Sequence, residues 1–241
     1  MEDNKIYLMD CLKGFEQIDD GSIDLICTDP PYGISFKANH HKVDRFEVLK
    51  NDDVLLLDWL TDAYRVLKED GAIYLFTRWD VLGDWKKAME KAGFRMKSCI
   101  VWDRLVHGLG DLKGAYAPQH DDILFAVKTN KHKLRGKRPH DVIPYRQMQE
   151  PPEYNHQFVI RHMRPNPMKL VHPTQKPVYL VKKLIEKSTD KGDLVLDPFM
   201  GSGSTALACR MLDRRYLGFE LDPVYYKVCQ KRLSQTLEAF F

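Results

Sequence analysis

Asp29-Pro30-Pro31-Tyr32 stands directly after the apolar run Ile23–Thr28, which reads as a strand. Two prolines fix the backbone and remove two amide donors, so the Pro30 carbonyl is aimed in a rigid direction. With the Asp29 carboxylate it makes two acceptors converging on one point, which suits an amino group bearing two hydrogens. Tyr32 adds a flat face on which a planar ring can stack. A plainer reading is a strand end closed by a rigid Pro-Pro turn with an exposed tyrosine.

A second cluster lies far along the chain. Residues 194–196 predict a strand, and Asp197-Pro198-Phe199-Met200-Gly201-Ser202-Gly203-Ser204-Thr205 carries it through a glycine-rich turn into a helix over 206–212. Glycines there let backbone approach a ligand where a Cβ would clash. The turn lacks the third glycine of the dinucleotide fingerprint, so it marks a nucleotide-type site without specifying which. The next strand, over 216–219, ends in Glu220, at the spacing expected of a ribose-binding acid, about 20 residues on. A solvated strand-end carboxylate is the bland alternative. Asp10, closing the first strand, suits helix capping nearly as well as ligand contact.

A third cluster is His172-Pro173-Thr174-Gln175-Lys176-Pro177, leading into a helix over 178–187. Thr174 or Gln175 can cap that helix, while Lys176, held between prolines at its entrance, is placed to pair with a carboxylate.

Positioning these groups requires alternating elements. Strands are expected over residues 5–9, Ile23–Thr28, 72–76, 97–102, 123–127, 194–196 and 216–219. The intervening helices include one over 54–68, with Leu56, Leu60, Ala63 and Leu67 on one stripe. The last helix opens at Asp222-Pro223 and runs through Tyr225, Val228, Cys229, Leu233 and Leu237. This is an α/β pattern with a mostly parallel sheet. Ligands in such sheets bind outside the carboxyl ends of the strands, where Asp29 and the glycine turn both fall.

The 241 residues suffice for one large domain or one plus an insertion. Residues 128–169 break the rhythm with ten Lys and Arg against three acidic residues and six prolines, a surplus of +7 that leaves −4 on the rest. Clustered Lys131, Lys133, Arg135, Lys137 and Arg138 suit contact with phosphates, or simply a solvated basic loop. No run approaches the ~18 apolar residues of a membrane span, and the first residues lack a signal-peptide layout, so an intracellular protein is expected. Five scattered cysteines without a C-x-x-C pair read as reduced core thiols rather than a disulfide framework or a metal site.

Taken together, the three motifs resemble the amino-methylating DNA methyltransferases. Their order, with D-P-P-Y first, H-P-T-Q-K-P after the basic segment and D-P-F-M-G-S-G-S-T last, is similar to the β group, whose motif order is circularly permuted. The resemblance implies a Rossmann-like seven-stranded sheet entered at the family's third strand, with the strand over 123–127 antiparallel. It implies S-adenosylmethionine as cofactor. Asp197, Phe199, Gly201, Ser202, Gly203, Ser204 and Thr205 would line it, Glu220 would take the ribose hydroxyls, and Asp10 would lie near the adenine. Thr174 and Lys176 would hold the methionine carboxylate. Asp29, Pro30, Pro31 and Tyr32 would be catalytic. Double-stranded DNA is the implied partner, gripped through the basic segment, and a homodimer, a cytoplasmic location in a prokaryote or phage-infected cell and no metal are further expectations. The organisation expected is a catalytic half (1–127), a target-recognition insertion (128–169) and a cofactor half (170–241). Asp121-Asp122 departs from the His-Glu pair common before the antiparallel strand, and neither it nor His120 is given a role.

The implied reaction is methylation of the exocyclic N6 of adenine after base flipping, with N4 of cytosine as the alternative. A nicotinamide-dependent oxidoreductase would leave D-P-P-Y and H-P-T-Q-K-P without a purpose. An inactive DNA-binding module would not need the motifs intact. His40 and His41, just beyond the tetrad, suit a polar lip over the site.

Overall fold

A computed structural model of the chain describes residues 1–33, 55–104, 113–137, 159–161 and 175–235. In chain order its elements are β1 (Lys5–Leu8), α1 (Cys11–Phe15), β2 (Ile23–Thr28), α2 (Trp59–Val66), β3 (Leu67–Thr77), α3 (Leu82–Ala92), β4 (Arg95–Asp103) and β5 (His120–Val127). There follow β6 (Val159–Arg161), α4 (Val178–Ser188), β7 (Leu194–Asp197), α5 (Ser204–Met211), β8 (Arg215–Glu220) and α6 (Pro223–Ser234).

Side chains alternate across each strand, so a central strand with apolar residues at every position buries both faces. Along β3, Ala72, Tyr74 and Phe76 pack with α4 and α5 through Leu180, Leu184, Ala206 and Cys209. Ile73 and Leu75 face the opposite way, onto Phe15, Trp59, Ala63, Trp85 and Met89 of α1, α2 and α3. The result is a sheet sandwiched between two helical layers.

The strand order is β1-β8-β7-β2-β3-β5-β4-β6. All neighbours are parallel except around β5, which runs antiparallel to both β3 and β4. The seven expected strands are present, the antiparallel one included. Among the described residues an eighth joins them: β6 lies on the outer edge of β4 in parallel register, Val101 opposite Val159. Three residues of the proline-rich segment suffice for it, too short a run to stand out in the sequence.

The chain leaves β7 toward β8 on one side, and β2 toward β3 on the other. The crevice at their carboxyl ends is therefore the topological switch point of the sheet. Leu25 and Ile26 pair with Val195 and Leu196, which joins the two far-apart motif clusters side by side.

Two expectations are corrected. The helix over 54–68 is shorter: α2 ends at Val66, and Leu67 is already extended and paired with Ile23. Leu67 is buried in either conformation, so its place on the helical stripe misled. Lys68-Glu69-Asp70 then form an exposed strand start, with Lys68 Nζ 2.6 Å from Asp24. Of the cysteines, four are buried thiols, but Cys99 is exposed on β4. The last helix is capped as expected, the Val224 amide donating to Asp222 Oδ1 at 2.7 Å, and Leu237 lies outside the described residues. No helix among the described residues is long and apolar enough to cross a membrane.

Candidate active site

Two adjacent strand ends build the centre of the site. Thr28, the last residue of β2, donates to Asp197 Oδ1 at 2.8 Å, and the Phe199 amide donates to the same oxygen at 3.1 Å. Thr205 Oγ1 donates to Asp197 Oδ2 at 2.6 Å. This clamp ties β2, β7 and the start of α5 together. Burial pushes the Asp197 carboxyl up to about 6 even against those three stabilising hydrogen bonds.

Immediately beyond Thr28, the Asp29 carboxylate is gripped from two sides. Lys176 Nζ donates to Oδ2 and the Tyr32 hydroxyl donates to Oδ1. The Lys176 ammonium also lies 5.8 Å from the Tyr32 ring centroid and 5.2 Å from that of Phe76. Burial, then the Asp29 charge, hold the Tyr32 phenol far above its ordinary range, so it stays a neutral donor. Lys176 itself is fastened through its carbonyl, which accepts from Ser204 Oγ at 2.8 Å.

On the other side of the switch point, Glu220 closes β8. Its Oε2 accepts from the Gly201 amide at 2.7 Å and its Oε1 from the Asp222 amide at 2.8 Å. Burial raises this carboxyl above its ordinary value, with those two amides opposing. Phe199 stands edge-on to Trp59, centroids 5.4 Å apart. Asp10 does cap α1, accepting from the Leu12 amide at 2.9 Å, and it also faces the cleft.

These groups line one cleft of about 1150 Å³. It is larger than the few hundred Å³ to ~1000 Å³ of a single small-molecule site. Asp29, Pro30, Pro31 and Tyr32 share its wall with Asp10, Asp197, Phe199, Gly201, Ser202, Ser204, Thr205, Glu220 and Lys176. Gly203 is not in the wall. Its φ is +83°, and a Cβ there would come 2.4 Å from Cys229 Sγ, so this glycine serves the packing of α6. Ser202 stays in the wall, but its hydroxyl is taken up in packing, accepting from Arg232 Nη1 at 2.9 Å. Thr174, Arg138, His40 and His41 lie outside the described residues.

Sequence reasoning missed the far end of the cleft, where Arg78, Trp79, Trp102, Arg104 and Tyr116 contribute. Trp79 is 74% exposed and Tyr116 fully so. The clue available was position: Arg78 and Trp79 directly follow a strand that ends beside Asp29's own.

The basic residues expected to meet DNA are elsewhere. Because β5 is antiparallel, it delivers Lys128–Lys137 to the amino ends of the parallel strands, the side opposite the cleft. There Thr129 Oγ1 donates to the Glu69 carbonyl at 2.6 Å and the Arg135 amide to the Lys187 carbonyl at 2.8 Å. Lys131 lies 3.7 Å from Glu69, and Arg135 3.0 Å from Asp190. Lys131, Lys133, Arg135 and Lys137 are thus not brought together with the Asp29–Tyr32 tetrad.

The sheet sets the glycine-rich turn beside the Asp29–Tyr32 tetrad in one cleft, and comparison with known proteins narrows what class of protein this is. The DNA methylase family model (N6_N4_Mtase) matches residues 23–231. The type II methyltransferase M.HpaI of Haemophilus parainfluenzae is 30% identical over 99% of this chain and 76% of its own length. The DNA adenine methyltransferase YhdJ of Escherichia coli K12 is 32% identical over 93% of this chain and 81% of its own. Among solved structures, the M1.HpyAVI–SAM complex superposes with a TM-score of 0.68 at 25% identity, covering 95% of this chain and 98% of the other. The chain belongs to the DNA methylase family.

Proposed function

We propose that the protein transfers a methyl group from S-adenosylmethionine to the exocyclic N6 of adenine in double-stranded DNA. The observation that carries this is the placement of Asp29-Pro30-Pro31-Tyr32 in one cleft with the glycine-rich turn and Glu220. The first residue of the tetrad favours adenine, since family members with aspartate there tend to be adenine-specific, and YhdJ bears an adenine methyltransferase name.

The residues fit the cofactor. Glu220 offers a carboxylate pinned by two backbone amides, suited to a pair of vicinal hydroxyls, and Phe199, Met9 and Leu221 give apolar walls for a planar base. Lys176, whose carbonyl is tied to the first turn of α5 by Ser204, brings an ammonium into the wall, suited to a carboxylate. S-adenosylmethionine supplies an electrophilic methyl group on a sulfonium.

The remaining work falls to the chain's own groups. An exocyclic amine conjugated with its ring is a poor nucleophile. Hydrogen bonds from its two N–H groups to Asp29 and to the Pro30 carbonyl draw the nitrogen toward a tetrahedral shape and aim its lone pair. Reacting atoms held about 3–3.5 Å apart gain most from such positioning. Asp29 then accepts the proton the amine sheds. The target base must leave the duplex at a cost of a few kcal/mol. Stacking on Tyr32 recovers roughly 1–3 kcal/mol. A cleft of this volume holds both ligands.

DNA approaches from the cleft end of the sheet, over Trp79, Tyr116, Arg78 and Arg104. Target selection is assigned to the part of the 128–169 insertion that follows β6. That strand runs parallel to β4, so the chain leaves it at the cleft end. Digesting DNA from cells expressing the protein and identifying the modified nucleoside tests the reading: N6-methyladenine is expected, and N4-methylcytosine would reassign the base. Sequencing the same DNA for modified positions gives the target site.

A further inference from the structure

Lys176 bridges the two halves of the cleft. Its main chain is tied to the first turn of α5 by Ser204, while its ammonium crosses between the Tyr32 and Phe76 rings to Asp29 Oδ2. The pair is well shielded, with Lys176's side chain 10% exposed and Asp29's 19%. Tyr32 holds Oδ1, so each Asp29 oxygen already accepts a hydrogen bond before any amino group arrives.

An ammonium donates only, and a second carboxylate entering beside α5 competes directly for it. We propose that Lys176 couples the two substrates: it holds Asp29 engaged until the amino-acid carboxylate of the methyl donor draws its ammonium away. Asp29 then becomes available to the base. This deepens the methyltransferase reading above and rests on it. The exchange replaces one ion pair with another, so it makes and breaks no covalent bond. Its consequence is a binding coupling that works in both directions: cofactor tightens the grip on the target, and target tightens the grip on cofactor.

The test measures binding alone, with a duplex carrying the site found by sequencing and with S-adenosylhomocysteine as the probe. Saturating probe is expected to tighten duplex binding by wild-type protein about five- to tenfold, within the usual range of such couplings. The probe 5′-methylthioadenosine, which lacks the amino-acid carboxylate, is expected to leave duplex affinity unchanged. In Lys176→Met the duplex is expected to bind equally with and without S-adenosylhomocysteine, saturation being checked by calorimetry. Tightening that persists in Lys176→Met, is produced equally by methylthioadenosine, or is absent from wild type overturns the coupling. Failure of S-adenosylhomocysteine to bind wild type at all overturns instead the methyltransferase reading. The comparison of the two probes on wild type stands even if the variant does not fold.

Discussion

At the scale of single residues, two carboxyls 168 residues apart in sequence divide the labour. Asp29 and Asp197 both line the cleft, but Asp197 spends its carboxylate oxygens on Thr28, Phe199 and Thr205. Replacing Asp29 by alanine is expected to lower methyl transfer by at least the ~10²–10⁴-fold typical of a lost acid–base group, while S-adenosylhomocysteine still binds. Incorporation of labelled methyl groups into DNA, beside calorimetric binding, checks both halves; unchanged turnover would remove Asp29 from the chemistry. Asp197 has a different signature. Its folded-state value of about 6 lies above its ordinary 3.8, so between those values the folded chain holds a proton that the unfolded chain has released. The associated stability is complete below about pH 4 and is lost as pH rises through 6, on the order of 2–3 kcal/mol. Thermal melting of wild type against Asp197→Asn should therefore diverge across pH 4–6.5 and run parallel above pH 7. A constant difference over the whole range would contradict the raised value.

At the scale of elements, the contact between α6 and the glycine turn is the sharpest constraint. Gly203 is left-handed and leaves 2.4 Å between an added Cβ and Cys229 Sγ. Gly203→Ala is expected to destabilise the fold by about 1–3 kcal/mol, from backbone strain and overpacking together. Adding Cys229→Ala should recover the packing share only, and denaturant unfolding of the single and double variants would show whether it does. The same contact explains a limit of sequence reading. Strand, glycine turn and helix were legible here because local spacing announces them. That Gly203 answers to a cysteine 26 positions later, and not to a ligand, depends on how α6 returns across the turn.

At the scale of the whole molecule, the sheet decides which charges meet DNA. The mostly parallel sheet was expected from the alternating pattern and the antiparallel β5 from the family resemblance, and together they already imply that residues following Val127 emerge away from the cleft. The clustered lysines drew attention by composition, which carries no direction. Trp79 and Tyr116 went unnoticed for the converse reason, being isolated in sequence and joined only by the cleft. Accordingly, neutralising Lys131, Lys133 and Lys137 to glutamine should leave the salt dependence of duplex binding unchanged. A fall in the log–log slope of about one per residue would instead place these lysines on the phosphates. Trp79→Ala, by contrast, should weaken duplex binding about 5- to 100-fold if a base stacks there; equal affinity for both proteins would take Trp79 out of the interface.

The pairing of β2 with β7 also sets a timetable. Leu25 finds its partner Val195 only after some 170 further residues exist, and at about 5–20 residues per second that is roughly 10–30 s of synthesis. Until then, Asp29 has neither the wall that Asp197 closes nor the lysine that grips it. A nascent chain exposes its tetrad long before it owns an active site, so modification of DNA awaits the synthesis of β7 and α5.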